Sequence, residues 1–288
     1  MSAKPKQIIV DKDAFIGINI SELCDFAKHH LILACDTLLY ECATASNQEP
    51  RDMLERYKRL IKSGVYYCSC SVTYIQSEGK NSYPYTWFLP DLDATRQIRT
   101  DEAQLESVLD SPKTGAVFQS RCNVAKAIFL DLSAKLNNRI DIENPDIGKK
   151  IRQLPSDKFE QFRILFESID SRDLHQTCVD SFPHDWIKDE RKFCLSPEWI
   201  SWQYFRLTDA IVQNYYYLRQ TNAMPRDEDE RAEHDYQDME YLLLLSRADG
   251  LLTRDKKLVT PVAKAAFPDK DVFSSLDEVP EDYVCNWS

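Results

Sequence analysis

Short apolar runs sit near both ends of the chain. Gln7-Ile-Ile-Val10 and Leu31-Ile-Leu-Ala34 show no polar alternation. Runs of that length and character predict strands buried on both faces. Between them, Ala14 to Ile20 begins a helix. Ser21 to His30 reads more clearly as one, with Leu23, Phe26 and Ala27 at helical spacing and Ser21 as N-cap. Asp36 caps a helix that runs Thr37 to Ala45, and Arg51 to Lys62 is another, ended by Gly64. Val65 to Val72 reads as a strand.

From about Thr73 to Arg231 the strand-helix alternation stops. Asn81 to Pro90 is an aromatic loop, and Asp141 to Pro155 a connector. Asp101 to Leu109, Arg121 to Leu136, Asp157 to Asp170 and Glu198 to Gln220 predict helices. Trp199, Trp202, Tyr204, Phe205 and Tyr215 to Tyr217 lie on the last of these and read as core. The acidic run Ala223 to Glu233 is a solvated lead-in to the next helix. That helix opens around Asp235 and Asp238 and continues through Met239, Leu242, Leu243 and Leu245. Gly250 suits its C-terminus. Leu251-Leu-Thr253 is a short strand with Asp255 just past it. Lys256 to Phe267 returns to helix, and Asp271-Val-Phe273 is a last strand. The expected fold class is α/β. Residues 1–75 and 230–288 form a discontinuous core around a central parallel sheet, and residues 76–229 form a mainly helical insertion.

Composition narrows the chemistry. The 288 residues carry a net charge of -11, so nucleic acid would need a local basic patch. The helix with Arg51, Arg56, Lys58, Arg59 and Lys62 supplies one, and Arg254, Lys256 and Lys257 another. Met1 to Lys6 has no apolar stretch behind it, and no run approaches membrane length. Nine scattered cysteines read as reduced thiols, so the expected location is cytoplasmic, with no membrane partner. Cys68-Ser-Cys70 is the only close pair, and core packing explains it better than zinc. The five histidines show no zinc spacing, and six glycines leave no phosphate-cradling loop.

Four carboxylates stand out by context. Asp11 follows the first strand, Glu41 sits inside an apolar helix, Asp238 lies at a helix start, and Asp255 follows a late strand. Each alone reads as a cap, a surface group or a dipole partner. Together they can meet at one sheet edge, where open α/β sheets bind ligands. Clustered carboxylates repel, and an all-oxygen set suits a hard cation, Mg²⁺ or Mn²⁺. Asp235 is three residues from Asp238, on the same helix face, and is a fifth candidate ligand.

In their order, these pieces resemble the PIN-domain family of metal-dependent nucleases. Ile8-Ile-Val-Asp11-Lys-Asp13-Ala-Phe15 is similar to the family's opening strand and first aspartate. Thr37-Leu-Leu-Tyr-Glu41 is similar to the helix that brings its glutamate. Asp235-Tyr-Gln-Asp238 resembles the third acidic position, and Gly250-Leu-Leu-Thr253-Arg-Asp255 the strand, threonine and fourth aspartate. The resemblance covers about residues 5–75 and 230–275. Asp13 departs from the asparagine common at that position, and the long interior has no counterpart. The resemblance implies a metal-dependent endonuclease, acting on RNA more than DNA. Asp11, Glu41, Asp238 and Asp255 would hold Mg²⁺ or Mn²⁺, with Thr253, Arg254 and Lys256 at the substrate. In-line attack by activated water would leave 5′-phosphate and 3′-hydroxyl ends. The family further implies a toxin or defence effector, with an inhibitor protein or a second copy of the chain as partner.

Two other readings stand beside it. In one, the fold is an inactive binding scaffold whose helical insertion is the working surface. In the other, Asp11 and Asp13 are the aspartate pair of a haloacid-dehalogenase-like phosphatase.

Overall fold

A computed structural model describes residues 4–44, 50–85, 145–169, 171–223 and 228–285, with a few positions between 90 and 134. Five strands form one sheet: β1 (Gln7–Val10), β2 (Leu31–Cys35), β3 (Tyr66–Cys68), β4 (Gly250–Leu252) and β5 (Asp271–Phe273). All neighbours pair in parallel, in the order β3-β2-β1-β4-β5. Every residue of β1, β2 and β4 is buried, as a sheet covered on both faces requires.

The chain steps outward from β1 to β2 and β3, then returns to lay β4 on the other side of β1. The direction of winding therefore reverses between β1 and β4. A crevice opens at such a point, outside the carboxyl ends of the strands.

Helices α1 (Lys12–Gly17) and α2 (Ile20–Ala27) connect β1 to β2. Helices α3 (Asp36–Thr44) and α4 (Pro50–Lys62) connect β2 to β3. Gly64 ends α4 at a φ of 120°, where a side chain would be strained. The α2 cap differs from expectation: the N-cap is Asn19, two residues before Ser21, and it accepts from the Ser21 N–H at 2.9 Å.

Between β3 and β4 lie α5 (Ser71–Asn81), α6 (Pro145–Arg152), α7 (Lys158–Ser168), α8 (Ser171–Ser181), α9 (Ile200–Gln220) and α10 (Glu228–Leu245). Helix α11 (Val259–Ala266) connects β4 to β5. The sheet thus has helices on its faces and a helical insertion before β4. One apolar cluster joins Ile8, Leu33 and Leu251 of the sheet to Ile151, Phe162, Phe182 and Phe205 of the insertion. The aromatic residues of α9 pack as core, with Trp199, Trp202, Tyr204, Phe205 and Tyr215 buried. No described helix is long and apolar enough to cross a membrane.

Several sequence expectations are corrected here. The strand expected over Val65–Val72 stops at Cys68, because buried carboxylates start a helix in its place. Asp36 accepts from the Cys70 N–H at 3.1 Å, and Glu240 from the Ser71 N–H at 2.9 Å and its hydroxyl at 2.6 Å. Negative charge at a helix N-terminus is favourable, and these donors have no partner inside the helix. The connector expected over Asp141–Pro155 contains α6, whose Pro145 sits at a first helical position that tolerates a missing N–H. Helix α8 was not expected at all. The acidic lead-in is helical from Glu228 onward, so Asp238 lies in mid-helix rather than at a helix start. Helix α10 ends at Leu245, and Gly250 belongs to β4. A Cβ there would come 2.8 Å from the Phe273 ring, so glycine serves close packing instead of a helix cap. The helix expected at 101–109, and most of that at 121–136, falls outside the described residues.

Candidate active site

Asp11 is the first residue past β1 and the N-cap of α1. Its carboxylate accepts from the Ala14 N–H at 2.7 Å and from the Thr253 hydroxyl. Thr253 follows β4, fully buried, and its own hydroxyl oxygen accepts from the Asp255 N–H at 3.1 Å. The β1–β4 register, with Val10 opposite Leu252, sets these residues side by side. Asp255 accepts from the Lys257 and Leu258 N–H groups at 2.5 and 3.1 Å, capping the turn into α11. Asp11 and Asp255 therefore flank the crevice where the winding reverses, and each also caps a helical turn.

Glu41 reaches the same crevice from α3. It is 5 % exposed. Its Oε1 lies 3.3 Å from the Lys12 ammonium, and its Oε2 accepts from the Tyr241 hydroxyl at 2.5 Å. Asp238 comes in from α10, half-buried. No protein hydrogen-bond donor reaches its carboxylate among the described residues.

These four carboxylates, from four separate stretches of chain, line one cleft of about 190 Å³. Lys12, Asp13, His234 and Tyr241 complete its wall. Burial pushes the Asp11 carboxyl up to about 7, against the bonds from Thr253 and Ala14. Glu41 is raised by burial, opposed by Lys12 and Tyr241. Asp238 is raised well above the ordinary range, by burial first and then by Glu41, Asp255, Asp235 and Asp11. The cleft concentrates negative charge with few internal donors to offset it.

The donor chemistry fits a hard divalent cation: all oxygen, with one carboxylate unpartnered and destabilised by its neighbours. As placed, no three acidic, imidazole or thiol groups among the described residues gather round a single point.

The other expected site residues lie elsewhere. Asp235 is buried and accepts from the Tyr215 hydroxyl at 2.7 Å, whereas Asp238 lines the cleft. Thr253 is an internal strut, too buried to meet a substrate. Arg254 donates to the Gly17 carbonyl at 2.5 Å, at the end of α1. Lys256 is exposed and off the cleft wall. Arg56 is held at the same end of α1, donating to the Phe15 carbonyl at 2.8 Å and also to that of Ile18. Half-buried and bound to two backbone acceptors, Arg56 has a structural role at the end of α1.

The sequence places His234 only near the site, as a surface or packing residue, and does not single out Lys12 or Tyr241. A signal existed. Lys12 adjoins Asp11, and His234 and Tyr241 are four before and three after Asp238, the spacings that share a helix face.

No protein-family model, no curated protein and no solved structure matches this chain.

Proposed function

We propose that the protein is a PIN-like, metal-dependent endonuclease that hydrolyses phosphodiester bonds, of RNA in preference to DNA. One observation carries the reading. Asp11, Glu41, Asp238 and Asp255 converge on one cleft at the carboxyl edge of a parallel sheet, and no donor among the described residues reaches Asp238. The RNA preference rests on the family resemblance alone, as does a role as a toxin or defence effector.

Asp238, Glu41, Asp11 and Asp255 would hold Mg²⁺ or Mn²⁺. When bound, such an ion supplies Lewis acidity to water and to a phosphoryl oxygen. The chain's own residues do the remaining work. Thr253 fixes one Asp11 oxygen, and Tyr241 fixes one Glu41 oxygen. Lys12 and His234 are the basic side chains on the cleft wall, the place where a phosphate would meet it.

A second reading, a binding module without catalysis, is favoured by the capping roles of Asp11 and Asp255. Cleavage of single-stranded RNA separates the two. The nuclease needs Mg²⁺ or Mn²⁺ and loses activity in chelator and in Asp238→Asn. Cleavage that continues undiminished in excess chelator sinks the metal mechanism.

A further inference from the structure

Lys12 occupies an unusual place. It is the first residue of α1, where the helix dipole disfavours a positive charge. Its nearest acidic partner is Glu41, whose other oxygen is already held by Tyr241. The Lys12 side chain is 29 % exposed and Glu41 only 6 %, so the ammonium can swing into water while Glu41 cannot. Removing the ammonium would leave Glu41 facing Asp238, Asp13 and Asp11 across the cleft, with one hydroxyl for support. The ammonium is thus the one cationic side chain paired with Glu41 in a crowded acidic wall among the described residues.

We propose that Lys12 is the resident counter-ion of this cleft, and that a divalent cation binds by taking Glu41 away from it. The proposal rests on the metal-site reading above. On exchange, the carboxylate turns to the ion, and the ammonium moves to the cleft mouth, where a substrate phosphate is its next partner.

Competition of this kind has a signature that a passive salt bridge lacks. Taking away the competitor tightens metal binding. Lys12→Met is expected to bind Mn²⁺ about five- to tenfold more tightly in calorimetric titration, the size of a partly exposed ion pair. Lys12→Arg keeps the competitor and should stay within about twofold of wild type. A second measurement uses the unaltered protein. Acylation of Lys12 by an amine reagent, read by peptide mass spectrometry, should rise on adding Mg²⁺, while Lys256 stays constant. Asp238→Asn is the control for the site itself. If Asp238→Asn loses Mn²⁺ while Lys12→Met binds it no more tightly, or Lys12 labelling does not rise, the counter-ion proposal is overturned and the metal site stands. If Asp238→Asn binds Mn²⁺ like wild type, or wild type binds none, both readings fall together.

Discussion

Tyr241 donates its hydroxyl to Glu41 at 2.5 Å, joining positions 200 residues apart in the chain. Both side chains are buried. The bond ties α10 to α3 at the floor of the cleft and leaves Glu41 one oxygen for Lys12 or for an ion. Tyr241→Phe would strand that carboxylate oxygen and should cost about 1–3 kcal/mol in urea denaturation at neutral pH. A loss below a few tenths would mean that the hydroxyl does not hold Glu41.

Acid should stabilise the metal-free protein. The folded-state value of Asp11 lies above its ordinary 3.8, at about 7, and those of Glu41 and Asp238 are raised too. Over that range the folded chain binds more protons than the unfolded one, so the contribution of these groups to stability falls as pH rises from about 4 through 7. The drop is expected to be on the order of 2–4 kcal/mol by urea denaturation in chelator. Asp11→Asn keeps the cap, because asparagine accepts equally well, and removes the titrating charge. It should flatten this part of the profile. A wild-type stability that climbs through the same range would contradict the crowding of charge in the cleft.

Bound metal should reverse that penalty. At Mn²⁺ about tenfold above its dissociation constant, wild type gains roughly 1.4 kcal/mol. Asp238→Asn should lose most of the gain, yet be as stable as wild type in chelator, or more so, because it relieves repulsion. Thermal melts of both proteins, with and without Mn²⁺, give the four values needed. A mutant weaker in chelator and equally responsive to Mn²⁺ would make Asp238 a structural acid.

Arg56→Ala should damage the fold and spare the ligand. Its guanidinium closes the end of α1 through the Phe15 and Ile18 carbonyls and stacks over the Phe15 ring at 5.1 Å. Losing these should cost about 1–3 kcal/mol. The salt dependence of RNA binding should not move, because the side chain is turned inward. A flatter salt slope would return Arg56 to the phosphate-binding face.

Glu78 is heavily engaged where α5 meets α9. Its oxygens accept from the N–H groups of Tyr85, Ile200 and Ser201 and from the Ser201 hydroxyl, at 2.7–3.0 Å. It thereby starts α9, and burial raises its carboxyl against all four bonds. Glu78→Gln should cost about 2 kcal/mol or more, since an amide turns a donor toward backbone N–H groups. A neutral result in chemical denaturation would show that α9 starts without it.

How much of this was legible beforehand depended on range. The strand ends at Asp11 and Asp255 and the apolar helix around Glu41 are local patterns, and sequence alone places them. The Tyr215 bond that holds Asp235 off the cleft comes from another helix, and no spacing rule reveals it. The same holds for α5, whose start is set by Asp36 and Glu240 from distant parts of the chain. A helix capped from afar looks, in sequence, like a continued strand. Lys12 was readable as a neighbour of Asp11, but its pairing with Glu41 needed the tertiary contact.

The position of β4 has a consequence for how the chain is made. Synthesis delivers β1, β2 and β3 early, and β4 only after the whole insertion. Until then β1 shows a bare edge where β4 will later lie. The emerging chain therefore carries an open pairing edge and half a cleft, with Asp11 and Glu41 present and Asp238 and Asp255 still to come. Docking of β4 closes the edge and completes the acidic wall in one event. A long-range pairing of this kind forms late and slowly, so the edge of β1 stays open until the same step that completes the acidic wall.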